Sequence, residues 1–195
     1  MPGSSDTRSD GSDGFRKTTF TVRSFLPGVA RFVGNLPRLV LARRADRVDD
    51  AFAEKLMLAV TAVNECQYCT RYHSDLALEA GVDEETVARI LEDDVGSAVD
   101  DGELPALAFA QRYAETDENP GKSAVVGLRD AYGPATAGDV QAFVRAIYFG
   151  NLLGNSYDAA RIALGTHTRR TRRLLRSVAT GAAGVVEQIR ERCPV

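Results

Sequence analysis

The chain is poor in cysteine: it has three in 195 residues, a close pair formed by Cys66 and Cys69, and Cys193 near the end. Small secreted domains that rely on disulfides carry many more, so this count excludes a disulfide scaffold. It favours an intracellular, cytoplasmic protein. In that setting a C-x-x-C pair is typical of a catalytic or metal-binding site.

Long apolar runs and a strong net charge are also missing. The most apolar early stretch, residues 25–41, contains two arginines and two prolines, which makes it a poor membrane span. Residues 1–14 lack the apolar core of a secretory leader. The formal net charge of -3 is too small to indicate an electrostatic partner. We therefore expect neither a membrane nor a nucleic acid as partner.

The remaining composition is that of an ordinary globular protein, with 44% apolar and 26% charged residues. Residues 1–14 consist mostly of serine, glycine and aspartate and have little to bury, so we predict a disordered tail. Residues 15–195 are long enough to bury a core, and we predict that they form a single domain.

Apolar residues recur at helical spacing, and no segment alternates as a strand does. Asp49, Asp50 and Asp83 are suitable helix caps, while Gly81 and Gly133 are suitable stops. The fold class predicted is all-α. The patterns predict two short helices within residues 19–44 and a buried helix from 49 to 63. The next helix starts at the cap Asn64 and ends at 81, and another starts at 83. Further helices are predicted over 103–116, 123–132, 136–164 and 168–192.

The residues that carry chemistry are concentrated between Glu54 and His73. On a helix, Cys66 and Cys69 are three positions apart and Cys69 and His73 four apart, so the three side chains share one face. Such a pair can close a disulfide within one turn. Glu54 precedes them on the inner helix, and an antiparallel hairpin would return it toward His73 and away from Cys66. Two thiols, a base and a carboxylate together indicate thiol chemistry.

The pattern E-x11-C-x2-C-x3-H, formed by Glu54, Cys66, Cys69 and His73, resembles the signature of AhpD-like alkylhydroperoxidases, within the wider carboxymuconolactone decarboxylase family. The resemblance covers about residues 48–95. It implies an all-helical fold, homo-oligomers such as trimers or hexamers, and redox-active cysteines that reduce hydroperoxides. An unidentified dithiol or protein would supply the electrons, and no cofactor is expected. Decarboxylase members lack the cysteine pair, so we do not expect decarboxylation. Tyr68 stands where some members carry histidine.

The two cysteines compete for the role of attacking thiol. Cys66 lies in the first helical turn, where we expect it to be exposed and where the helix terminus stabilises a thiolate. Cys69 lies one turn from His73, which can take up or return a proton. A deeper thiol beside a base suits peroxide, and an exposed thiol suits exchange with a reductant. We therefore expect Cys69 to attack, Cys66 to resolve the sulfenic acid, and His73 and Glu54 to activate the attack.

A second hypothesis is a binding or structural module in which Cys66, Cys69 and His73 ligate zinc. Zinc prefers four ligands, so Glu54 or another subunit would have to supply the fourth. Because no second C-x-x-C or H-x-H cluster exists, redox chemistry is favoured and no metal is expected. A third hypothesis is a non-catalytic helical module that serves only oligomeric packing.

Other features have less specific interpretations. The basic run from Arg169 to Arg176 contains no aromatic residue, so we predict a solvated face or an intersubunit contact, and no nucleic-acid site. Asn151 and Asn155 have two interpretations. They line the site or a subunit interface, or they are ordinary buried polar residues with hydrogen-bond partners. His167 receives no role. The long helix over 136–164 has more apolar stripes than one small core needs, which also predicts a homo-oligomer.

Overall fold

The computed structural model describes the backbone of residues 17–192, and the side chains of the same residues except 167, 169, 170 and 174–192. No strand occurs in this part of the chain, which confirms the all-α prediction. The predicted tail over residues 1–14 lies outside the described residues. Seven helices are described: α1 (Val22–Ala45), α2 (Asp50–Asn64), α3 (Gln67–Glu79), α4 (Glu84–Leu91), α5 (Val95–Ala98), α6 (Leu104–Glu115) and α7 (Lys122–Arg192).

The chain divides into two units at Asn155 and Ser156. The first unit contains α1–α6, the first part of α7 and the candidate site. The second contains the rest of α7, where the hydroxyls of Thr166 and Thr168 donate to backbone carbonyls of the preceding turn. That residues 15–195 form a single domain stays a prediction.

Helix α1 is one continuous helix, so the prediction of two short helices within residues 19–44 is wrong. Pro27 and Pro37 lie inside it, and each removes only one backbone hydrogen bond. Tertiary contacts hold the helix together on either side of Pro37. Asn35 Nδ2 donates to the Ala142 carbonyl at 2.8 Å, and Arg38 pairs with the fully buried carboxylate of Asp139 at 2.9 Å.

Helix α2 forms the centre of the first unit. Its cap is confirmed: the Asp49 carboxylate accepts from the Phe52 backbone N–H at 2.8 Å. Buried residues occur on more than one face, as the sequence predicts, because α2 packs against α3, α4 and α6. The buried side chains of α2 are Phe52, Ala53, Glu54, Leu56, Met57, Leu58, Ala59, Val60, Thr61 and Asn64.

The turn between α2 and α3 differs from the prediction. Asn64 is the last residue of α2 and does not cap α3; Cys66 occupies that cap position. The reason is Glu65, whose left-handed backbone (φ 52°) ends α2 and reverses the chain within two residues. The predicted stop at Gly81 is confirmed, with φ 90°.

Helix α7 is interrupted at Gly133, whose φ of 73° and ψ of 166° are not helical, so the predicted break there is confirmed. The predicted separation between residues 164 and 168 is wrong, because the helix continues through it to Arg192. No proline interrupts this stretch. In the part of the chain that is described, no helix combines the length and the hydropathy needed to cross a bilayer.

Candidate active site

Cys66 and Cys69 lie side by side at the start of α3. Both are free thiols, and their Sγ atoms are 3.1 Å apart. Cys66 is the N-cap, and Cys69 lies in the first turn. Because a disulfide has an S–S bond of about 2.05 Å, the pair can be oxidised by a sulfur displacement of roughly one ångström.

The exposure of the two cysteine residues is the reverse of the prediction, in which Cys66 was the exposed one and Cys69 the deeper one. Cys66 is completely buried, with 0% exposure, whereas Cys69 is partly exposed. The expected exposure of Cys66 is therefore wrong. The cause is the cap position, which directs the side chain toward Gly154 of α7. A Cβ atom at Gly154 would lie only 2.7 Å from Cys66 Sγ, so this helix approaches the sulfur as closely as glycine allows.

The ionisation of the thiol pair is strongly coupled. The hydrogen bond with the Cys69 side chain lowers the pKa of Cys66 to about 6. Burial opposes this shift, while the backbone N–H groups of Cys69 and Tyr68 and the charge of Lys17 reinforce it. The pKa of Cys69 is raised, first by its hydrogen bond with Cys66 and then by burial. These directions favour a thiolate on Cys66 and a proton on Cys69.

His73 and Glu54 form the second pair of the site. His73 Nδ1 lies 2.7 Å from Glu54 Oε2, so the predicted return of Glu54 toward His73 is confirmed, as a direct contact. Glu54 is buried, with 4% exposure, and the Tyr72 ring packs edge-on against the imidazole, with the centroids 5.1 Å apart. The carboxylate occupies Nδ1 and fixes the ring, which leaves Nε2 as the nitrogen that can exchange a proton.

Two buried asparagines attach the cysteine-bearing turn to α7. Asn155 Nδ2 donates to the carbonyls of Asn64, at 2.8 Å, and of Thr18, at 3.1 Å. Asn151 Oδ1 accepts from the Thr61 hydroxyl at 3.2 Å. Each asparagine thus has a hydrogen-bond partner for one side-chain atom, whereas Asn151 Nδ2 and Asn155 Oδ1 are buried without a partner among the described residues.

Sequence reasoning did not find Lys17 or Gly154. The Lys17 ammonium donates to the Glu65 carbonyl at 2.5 Å, beside Cys66. Gly154 contacts Cys66 Sγ, as described above. Neither residue belongs to a motif, and each meets the site from a distant part of the chain, so no local sequence signal could have identified it.

The four residues form two separate pairs. Within the described residues, no three side chains of histidine, cysteine, aspartate or glutamate lie close enough together to hold a metal ion. The zinc hypothesis therefore has no ligand cluster in that part of the chain. The roles of Cys66, Cys69, His73 and Glu54 in catalysis stay predictions.

Residues 27–112 match the family model described as the Carboxymuconolactone decarboxylase family. The match begins in α1 and ends in α6, and it includes both cysteines, His73 and Glu54. It thus extends beyond the segment that carries the sequence resemblance. Comparison with curated proteins and with solved structures found no match.

Proposed function

We propose, from the membership of residues 27–112 in the carboxymuconolactone decarboxylase family, that this protein is a thiol-dependent peroxidase that reduces hydroperoxides. Cys66 and Cys69 cycle between dithiol and disulfide. The observation that carries the proposal is the 3.1 Å separation of two free thiols, one of them with a pKa of about 6. The Glu54–His73 pair on the neighbouring helices supplies and accepts protons.

Peroxide attack falls to Cys69, because this residue is partly exposed whereas Cys66 is completely buried. The proton of Cys69 passes to the Cys66 thiolate along the short contact between the sulfurs. Cys69 then attacks a peroxide oxygen, the O–O bond breaks, and Cys69 becomes a sulfenic acid. A proton held on Nε2 of His73 neutralises the leaving alkoxide, which departs as an alcohol.

The second step closes the disulfide. The Cys66 sulfur attacks the sulfenic sulfur of Cys69, and the hydroxide that leaves takes the Cys66 proton and departs as water. An external dithiol then reduces the disulfide by two electrons. Its attack also falls on Cys69, the partly exposed residue of the pair, and it releases Cys66, whose low pKa makes it the better leaving group. Exchange was expected at Cys66, and the burial of that residue moves the proposal to Cys69.

The dithiol cycle is tested on metal-free protein by intact mass and by thiol titration under denaturing conditions, before and after one equivalent of cumene hydroperoxide. We expect the mass to fall by two hydrogen atoms and the free thiols to fall from three to one. The remaining thiol, Cys193, serves as an internal reference. Unchanged mass and unchanged thiols would contradict the proposal, and zinc found in the purified protein before the metal is removed would support the metal-binding alternative.

We also propose that the chain forms a homo-oligomer. The outer face of α1 carries apolar residues at intervals of four and three positions, the spacing of one helix face. Leu26 and Val33 on this stripe are 72% and 54% exposed. Apolar stripes of this kind are usually covered by a partner. The stripe consists of Val22, Leu26, Val29, Val33, Leu36 and Val40.

Assembly is measured by light scattering after size exclusion. We expect a mass that is a multiple of 21.0 kDa, and a smaller species for the Leu26→Asp variant. Val126→Asp is the matched control, because Val126 is 53% exposed but lies on α7. A wild-type monomer at micromolar concentration would refute oligomerisation, and an unchanged Leu26→Asp assembly would refute the role of α1.

A further inference from the structure

A cavity lies apart from the two cysteines of the candidate active site. It is bounded by α1, by the end of α6 with the turn that follows it, and by α7, and its volume is about 780 Å³. Cavities that bind small molecules commonly measure about 300–1,000 Å³. Cys66, Cys69, His73 and Glu54 do not line it. The cavity is therefore large enough for a small molecule and separate from the candidate active site.

The middle of the cavity is aromatic. Phe32 of α1 and Phe149 of α7 stack with their ring centroids 4.5 Å apart and their planes inclined by 15°. Phe109 and Tyr113 of α6 also line the cavity, with centroids 6.2 Å apart. Phe109 and Tyr113 are buried, so the partly exposed rings of Phe32 and Phe149 are the apolar surface that a bound molecule can reach.

The two carboxylates of the cavity wall are already engaged. Tyr113 donates its phenolic hydrogen to Glu118 at 3.3 Å, and Tyr148 donates to Asp117 at 3.0 Å. Burial raises the pKa of both phenols, so they remain donors at neutral pH. Glu118 also forms an ion pair with Arg31.

The turn that carries these carboxylates is held in a strained conformation. Asp117 and Glu118 have φ values of 48° and 69°, a region that is costly for residues other than glycine. The hydrogen bonds to the two phenols hold the acidic side chains in place. The carboxylates of this turn are thus held by hydrogen bonds and by the ion pair with Arg31.

Three arginines line the cavity, and Arg145 differs from the other two because it forms no ion pair with the described residues. Arg31 pairs with Glu118, and Arg38 pairs with Asp139. Arg145 is exposed and lies beside Tyr113, and its guanidinium donates to the side-chain oxygen of Gln141 at 3.4 Å. No carboxylate of the described residues lies within ion-pair distance of it. The cavity therefore contains an arginine that forms no ion pair with the described residues.

We propose that this cavity binds a carboxylate with an apolar body. Arg145 binds the carboxylate, since a guanidinium presents two parallel N–H groups to such an anion. The apolar body lies against Phe32 and Phe149. The proposal does not depend on the peroxidase function, because no residue of the cysteine site takes part.

Calorimetric titration with octanoate, and with 1-octanol as its uncharged counterpart, tests this site. We expect saturable binding of one octanoate per chain, and about tenfold weaker binding by Arg145→Gln, the effect of losing one charge-assisted contact. Binding of 1-octanol should be the same in both proteins. Arg112→Gln is the matched control: Arg112 is an exposed arginine of α6 that does not line the cavity.

Three outcomes would overturn the proposal: no saturable octanoate binding at millimolar concentration, equal affinities of the two arginine variants, or equal binding of octanol and octanoate. Circular dichroism establishes that each variant is folded. Cys69→Ser should bind octanoate as the wild type does, so failure of the peroxidase proposal would not affect this result.

Discussion

Cys69→Ser is expected to form no sulfenic acid when one equivalent of peroxide is added, whereas Cys66→Ser should form one at position 69 that dimedone traps. The difference follows from accessibility, because Cys66 is 0% exposed and Cys69 is partly exposed. A serine hydroxyl does not cleave a peroxide bond. Mass spectrometry of the dimedone adduct identifies the labelled residue, and peroxide consumption by Cys69→Ser should fall to the background rate.

The proton-transfer pair has a smaller expected effect in the same assay. In the Cys66→Ser background His73 must take the Cys69 proton in place of the Cys66 thiolate. His73→Ala and Glu54→Ala should therefore slow trapping there, by about a hundredfold for His73, because a positioned acid or base contributes on the order of 10²–10⁴ in rate. Neither change should abolish trapping. Cys193→Ser is the control and should react at the wild-type rate. Dimedone labelling of Cys66 in Cys69→Ser at the wild-type rate would reverse the assignment of roles.

Gly154→Ala should destabilise the fold and displace the Cys66 sulfur. The new methyl group would lie 2.7 Å from Cys66 Sγ, closer than real contacts allow, and the Cys66 side chain is completely buried. Added atoms in a packed interior typically cost about 1–3 kcal/mol. Chemical denaturation measures this loss, and the rate of peroxide-driven thiol disappearance measures the change in the geometry of the pair.

Gly150→Ala is the matched control, one turn earlier on the same helix. Nothing lies within 4 Å of a Cβ atom at Gly150. There the change should stabilise the helix by roughly 0.5–1 kcal/mol, because alanine loses less backbone freedom than glycine. The two substitutions thus have opposite expected signs. Equal free energies of unfolding for Gly154→Ala and Gly150→Ala would show that the contact with Cys66 does not matter.

The sequence alone was sufficient where the interaction is local. The proximity of Cys66 to Cys69, and the return of Glu54 toward His73 on the next helix, follow from helical geometry and a short turn, although Cys66 lies at the cap of α3 and not within its first turn. The stops at Gly81 and Gly133 follow from the backbone freedom of glycine, and the structure confirms both.

The sequence alone was insufficient where contacts with a distant segment determine the local structure. The burial of Cys66 depends on Gly154 of α7, and the charge near its sulfur depends on Lys17; no local pattern reports either. The continuity of α1 across Pro37 likewise depends on contacts with Ala142 and Asp139. Predictions from local patterns therefore fail where tertiary contacts outweigh local preferences.

The low pKa of Cys66 also affects the reduction potential of the pair. Every contact that stabilises the thiolate stabilises the reduced protein and leaves the disulfide without the same benefit. In the proposed dithiol cycle, this shifts the couple toward a more oxidising potential. A disulfide of this kind accepts electrons from mildly reducing dithiols, so the protein would return to its dithiol resting state without a strongly reducing donor.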